Sequence, residues 1–313
     1  MKPEPITTTA SVMSPKVRAN LDRPAFMGSG FAAEQRPAMT SVNGVAEIGF
    51  VVSRGTTRLA HLYEKNPLRV LFPTPADDDL PTAVLVTTSG GFVAGDRIDI
   101  AVTVSTEAAA HITGSAAEKI YRSTGPTTAI DQRLNVEAGA WLEFLPPETI
   151  VFDRAKLRRT TRVDLRGDGG FLGGGIIVFG RIAMGERFSD GLLHEGWEVW
   201  RDGALVWGDA LHVADDAAAV VDNPACFAGA EACGTLIFAP RDGEPRRFIK
   251  AARQAHGASV EGLRAGVTAV NGLLIARWLG EAMKLRRAYA ELACHLRAAA
   301  MGLPPVLPRL WHV

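Results

Sequence analysis

A thirty-residue echo between apolar segments constrains this chain more than any single motif. Ala110-His111-Ile112 returns as Ala140-Trp141-Leu142 and, more loosely, as Gly170-Phe171-Leu172. The same step carries Ile100 and Val104 onto Ile130 and Leu134, and Glu118 and Ile120 onto Glu148 and Ile150. The segments are strand-like: Ile98, Ile100, Val102 and Val104 share one face while Asp99, Ala101 and Thr103 take the other, the period-two pattern of a half-buried strand. Strand units repeating at this spacing stack as coils, each burying its apolar face against the next. The expected fold class is mainly β: stacked β-coil (β-helix-like) layers with a small C-terminal helical part.

The first coil opens on a glycine hinge, Thr87-Thr88-Ser89-Gly90-Gly91-Phe92-Val93-Ala94-Gly95-Asp96-Arg97, placed between the apolar run Ala83–Val86 and the alternating strand. Glycine supplies a sharp bend and close backbone approach there. Upstream, residues 1–40 are rich in Pro, Thr, Ser and Ala without periodicity and read as a mobile tail; 41–313 read as a single β-rich domain. Asp202-Gly203 between Trp197–Arg201 and Ala204–Trp207 signals a hairpin. The glycine-dense segment 167–175 lacks the order of a phosphate-binding loop and reads as tight coil corners. Arg246 to Ala258 suggests a short helix. Trp278, Ala282, Leu285, Tyr289, Leu292 and Leu296 recur at steps of four and three, which predicts a closing helix at about 278–301, ended by Gly302.

Composition limits the function classes. Lysine plus arginine equals aspartate plus glutamate at 34 each, an even balance that argues against phosphate-driven nucleic-acid binding. Cys226, Cys233 and Cys294 form no C-x-x-C pair and suit free thiols in a reducing compartment. The N-terminus has no apolar signal core and no stretch reaches eighteen apolar residues, so a cytoplasmic protein with no membrane partner is expected. There is no G-x-S-x-G, no H-E-x-x-H, and the triplet Asp77-Asp78-Asp79 lacks the rest of a calcium loop. The carboxylates Glu118 and Glu148 hold equivalent repeat positions, and strands in register lie about 4.8 Å apart. Paired acids at that spacing need a cation, water or a basic side chain between them.

Six stretches in order resemble one known family. They are Arg54-Gly55-Thr56-Thr57-Arg58-Leu59 through Asn66-Pro67-Leu68-Arg69-Val70, the Gly90–Asp96 hinge, Ala117-Glu118-Lys119-Ile120-Tyr121-Arg122-Ser123, Leu145-Pro146-Pro147-Glu148-Thr149-Ile150-Val151-Phe152, Gly180-Arg181-Ile182-Ala183-Met184-Gly185-Glu186 and Pro308-Arg309-Leu310-Trp311. From about residue 44 to the end their order and spacing are similar to the urease accessory protein family UreD, called UreH in some systems. The resemblance implies a non-enzymatic maturation factor of mostly β, coil-like fold. It implies binding to UreF and, through it, to the GTPase UreG, with the assembly docking on apo-urease so that nickel reaches the active site; family members have been proposed to pass nickel along an internal, water-filled path. The resemblance supplies no metal cage and no tightly bound cofactor, only transient Ni2+. On matching motifs, Asp96, Glu118, Glu148 and Asp153 are the candidates to line or flank that route, because oxygen ligands hold nickel loosely enough for transfer. The alternative is a β-solenoid carbohydrate-active enzyme, with Glu118 and Glu148 as paired carboxylates and Trp197, Trp200 and Trp207 as sugar platforms.

Overall fold

The computed structural model describes residues 41–256 and 260–312 together with the backbone of 7–9. The strands run in chain order as β1 (Thr7–Thr9), β2 (Asn43–Ser53), β3 (Thr56–Lys65), β4 (Leu68–Leu71), β5 (Thr82–Thr87), β6 (Arg97–Val104), β7 (Ala109–Gly114), β8 (Glu118–Ile120) and β9 (Thr128–Val136). They continue as β10 (Trp141–Phe144), β11 (Thr149–Val151), β12 (Lys156–Leu165), β13 (Gly170–Phe179), β14 (Gly191–Arg201) and β15 (Ala204–Asp215). After the short helix α1 (Ala217–Asp222) come β16 (Ala232–Ala239), α2 (Ile249–Ala255), β17 (Leu263–Val270), β18 (Leu273–Gly280) and α3 (Ala282–Met301).

The chain winds between two sheets. Sheet A has the order β1-β15-β14-β12-β9-β6-β2-β3, and sheet B the order β17-β18-β16-β13-β10-β7-β5-β4, with β11 and β8 extending from β13. Successive coils place β6, β9, β12 and β14 side by side and parallel in sheet A, and β5, β7, β10 and β13 likewise in sheet B. This is the expected stack of β coils. One apolar core fills the space between the sheets, including Ile98, Val102, Leu134, Leu142, Val163 and Phe171. A second lies on the outer face of sheet B, where Trp141, Leu172, Phe238 and Trp278 meet Leu285, Tyr289, Leu292 and Leu296 of α3. Alternation along each sheet B strand feeds both cores, which is why these strands read as nearly continuous apolar runs.

The spacing between rungs differs from a uniform thirty. Ile98 stands beside Ile130 and Val102 beside Leu134, whereas Leu134 stands beside Val163. Trp141 pairs with Ala109 on one side and Gly170 on the other. Loops of unequal length between the strands absorb these differences, so a fixed step matches the sequence only on average. An even slip, such as Ile100 beside Gln132 rather than Ile130, preserves the face a side chain occupies. An odd slip reverses it. Thr149, not Glu148, is the partner of Glu118.

Two further expectations need correction. The closing helix begins at Ala282, because Trp278 belongs to β18 and only shares the same apolar core, packing 5.6 Å from the Tyr289 ring. Glu231 accepts the backbone N–H of Ala282 at 3.0 Å and fixes that start. The glycines at 170 and 173–175 lie inside β13 rather than at corners, and a Cβ on Gly174 would stand 1.9 Å from the Thr235 carbonyl oxygen of β16. Close strand approach, not turning, requires glycine there. The short helix near 246–258 is found as α2 after a 3-10 turn, Pro245–Phe248. The reading of residues 1–40 as a tail lies outside the described residues apart from β1, whose backbone pairs with Gly208–Ala210.

Candidate functional site

Alternation places a row of polar side chains inside the sandwich. In β9 the inward positions are Thr128, Ile130, Gln132, Leu134 and Val136; in β12 they are Leu157, Arg159, Thr161, Val163 and Leu165; in β14 they are Leu193, Glu195, Trp197 and Val199. Each strand thus carries one or two polar groups among inward positions that are otherwise mostly apolar and buried. The stacking register sets Gln132 beside Thr161 and Arg159 beside Glu195. The Thr161 hydroxyl donates to Gln132 Oε1 at 2.7 Å, Arg159 Nε donates to Glu195 Oε2 at 2.6 Å, and Trp197 Nε1 donates to Glu195 Oε1 at 2.9 Å. Arg159 Nη1 then reaches the opposite sheet, donating to the Thr149 hydroxyl at 2.8 Å.

Glu118 belongs to this row. Its odd register with β11 turns its carboxylate inward on the same face as Thr149, where the Thr87 hydroxyl donates to it at 2.7 Å and the Lys119 backbone N–H at 3.2 Å. Burial raises the Glu118 carboxyl above its usual range, an effect that these two donors and the nearby Arg159 charge only partly offset. The row borders a cavity of about 150 Å³ whose walls mix Thr87, Glu118, Gln132, Thr149 and Arg159 with Phe92, Ile100 and Phe144. A polar cavity of this size has room for several waters. Across from the Arg159–Glu195 pair, Gly175 of β13 leaves open the space a side chain would occupy. Farther along, burial pushes the Cys233 thiol up to about 12, so it stands as a neutral thiol rather than a thiolate ligand.

The other three candidates are committed elsewhere. Asp96 is buried at the hinge, where its two oxygens accept from the Val42 and Val93 backbone N–H groups at 3.0 and 2.8 Å. Asp153 accepts from the Ser189 N–H and hydroxyl and from the Asp190 N–H; burial alone would raise its carboxyl, and these donors hold it below its usual value. Glu148 points outward to α3, with its Oε2 3.2 Å from Arg286 Nε but not aligned for a hydrogen bond. The structure therefore separates Glu118 and Glu148 onto opposite faces of sheet B, and they do not flank a common cleft. Trp197 and Trp207 are core residues, and Trp200 lies under the Arg162 guanidinium at 4.5 Å. The paired-carboxylate and sugar-platform readings are corrected on this geometry. Among the described residues, no three His, Cys, Asp or Glu side chains converge as a metal cage.

Arg159, Gln132, Thr161 and Glu195 were absent from the sequence candidates. Their signal is polar residues at inward parity in three strands, visible once the strands are aligned. On the far side of sheet B a second buried network, His111, Glu143, Arg297 and Asp79, ties α3 to the coils.

Comparison with known proteins places this architecture. Residues 42–312 match the family model described as UreD urease accessory protein. A urease accessory protein UreD of Magnetococcus marinus is 42% identical over 285 residues, spanning 90% of this chain and 97% of that protein. Similar proteins of the same name occur in Rhodopseudomonas palustris strain BisA53, 36% identical with 85% and 90% covered, and in Azorhizobium caulinodans, 38% identical with 86% and 95% covered. No helix among the described residues is long and apolar enough to cross a membrane. With a family match across nearly all the described coils and relatives covered almost end to end, the chain belongs to the UreD family of urease accessory proteins.

Proposed function

We propose that this protein is a cytoplasmic, non-enzymatic scaffold that joins a UreF/UreG GTPase assembly to apo-urease and passes nickel along the polar row between its two sheets. The carrying observation is that row: three hydrogen-bonded groups, Thr87 with Glu118, Arg159 with Thr149 and Glu195, and Thr161 with Gln132, lie along one cavity in a mostly apolar core. Buried polar groups are costly to maintain, and an apolar core of the same volume would be at least as stable. A strip beside a cavity wide enough for water offers a hydrated ion oxygen atoms without a cage that would retain it. Glu118 is the one sequence candidate on the strip. Its carboxylate is the ligand assigned to transient Ni2+, the cargo, while Asp96, Glu148 and Asp153 hold the walls in place through the contacts described above.

The test is urease activation in cells carrying Glu118→Gln, a substitution that keeps the acceptor facing Thr87 and removes the charge. Activation falls several-fold while the variant still co-purifies with UreF, UreG and urease subunits. Activation at the unmodified level with the complex intact rejects Glu118 as part of the route.

A further inference from the structure

The outer face of sheet A carries a second arrangement of possible ligands, on the side of β14 opposite to Glu195. Antiparallel register sets His194 of β14 directly beside His212 of β15. Their Nδ1 atoms are 3.4 Å apart, with the rings edge to face at 65°. That separation is long for a hydrogen bond, whose donor and acceptor usually lie about 2.7–3.2 Å apart. It agrees with shared coordination: two imidazole nitrogens bound at about 2.0–2.1 Å to one tetrahedral ion lie about 3.3–3.4 Å from each other. A right-angled octahedral pair would close to about 2.8–3.0 Å at the same bond lengths.

The surroundings keep the pair accessible and in place. His212 is exposed, whereas His194 lies over Gly196, where an added Cβ would press to 3.4 Å from its Nε2. Arg158 is the opposing group. It stands opposite His194 on β12 and weakens any cation bound there.

We infer that His194 and His212 form a surface site for a tetrahedral divalent ion of the zinc class, bound through both Nδ1 atoms with water completing the shell. Two protein ligands give exchangeable rather than structural binding. The site lies across the backbone from the interior strip, so it stands or falls separately from the nickel route.

Titration of Zn2+ alone into the tag-free full-length chain, followed by calorimetry at pH 7.5, tests it. One ion binds the unmodified chain. Affinity drops at least tenfold in His194→Ala and in His212→Ala, is unchanged in His61→Ala, and rises several-fold in Arg158→Gln. Matched thermal unfolding of every variant shows that these surface changes leave the fold intact. An unmodified chain that takes no Zn2+, or His194→Ala and His212→Ala variants that bind like the unmodified chain, overturns the site.

Discussion

Arg297 of α3 places its Nε 3.1 and 3.2 Å from the two carboxylate oxygens of Glu143 on β10, and both side chains are fully buried. The same guanidinium donates to Asp79 and to the carbonyl oxygens of Pro304 and Val306. Glu143 also faces His111 Nδ1 at 2.7 Å and accepts from Trp141 Nε1. One helix side chain thus binds a coil strand, the 75–81 loop and the C-terminal segment.

Breaking this network leaves an uncompensated charge in the second core. Arg297→Met is expected to cost about 3–5 kcal/mol, the usual penalty for removing one partner of a buried pair. The loss appears as a lowered denaturation midpoint. Early amide exchange in α3 and in the segment after Gly302 shows where it acts. The pH dependence has a definite sign. Burial alone would raise the Glu143 carboxyl, but His111 and Arg297 hold it below its ordinary value. Its contribution is therefore complete above the unfolded carboxylate pKa, about 4.3, and is lost as pH falls through the lower folded value. Acid titration of stability should flatten in that window when Glu143 is replaced by Gln.

Glu118 gives the opposite sign. Its folded pKa is raised, so the folded state binds its proton more tightly than the unfolded chain does, and stability declines as pH rises from the unfolded carboxylate pKa through the folded one. Glu118→Gln removes that decline. The variant should gain stability relative to the unmodified protein as pH rises above about 4.3, measured by chemical denaturation across pH 4 to 8. A difference that shrinks with rising pH would contradict the burial assigned to this carboxyl.

The outermost strands at one end of the stack, β3 in sheet A and β4 in sheet B, expose apolar side chains. Tyr63 and Leu71 are 49% and 57% exposed, with Leu59, Leu62 and Phe72 nearby at the same end. Clustered exposed apolar surface marks protein contacts. Tyr63→Glu combined with Leu71→Glu should leave the thermal midpoint within about 1–2 °C, as expected of surface positions outside the core. The same pair should abolish co-purification with at least one partner of the urease assembly. Full recovery of every partner assigns docking to another face.

Much of this fold could be read before any coordinates, because alternation along strands is set by side-chain chemistry. The parity of Ile98–Val104 put the same residues inward that the structure buries. Register was harder to read. It depends on loop lengths between rungs, and a slip of one residue between β8 and β11 moved Glu148 from beside Glu118 to the outer face. Trp278 matches the helical stripe because a strand residue and a helix face feed the same core at a coincidental step of four. The interior strip was hidden for a related reason. Arg159 and Thr161 sit within the polar-looking run Lys156-Leu157-Arg158-Arg159-Thr160-Thr161-Arg162, where only parity relative to Leu157 and Val163 shows which of them face inward.

The Arg159–Glu195 pair separates a structural role from a transport one. Each side chain is buried, and Arg159 also holds Thr149 on the facing sheet. Glu195→Leu alone should cost about 3–5 kcal/mol by stranding the guanidinium, and Arg159→Met alone should cost a similar amount by stranding the carboxylate. Joined as Arg159→Met with Glu195→Leu, the changes exchange an ion pair for packed apolar groups, and most of the loss should return, giving a coupling energy of about 2 kcal/mol or more in a double-mutant cycle. If the strip serves only the fold, urease activation returns along with stability. If it forms the path, the double variant folds, binds its partners and still fails to activate urease. Melting curves and activation assays on the four proteins of the cycle decide between these outcomes, because recovery of stability without recovery of activation requires polar atoms at this depth for a task other than holding the sheets together.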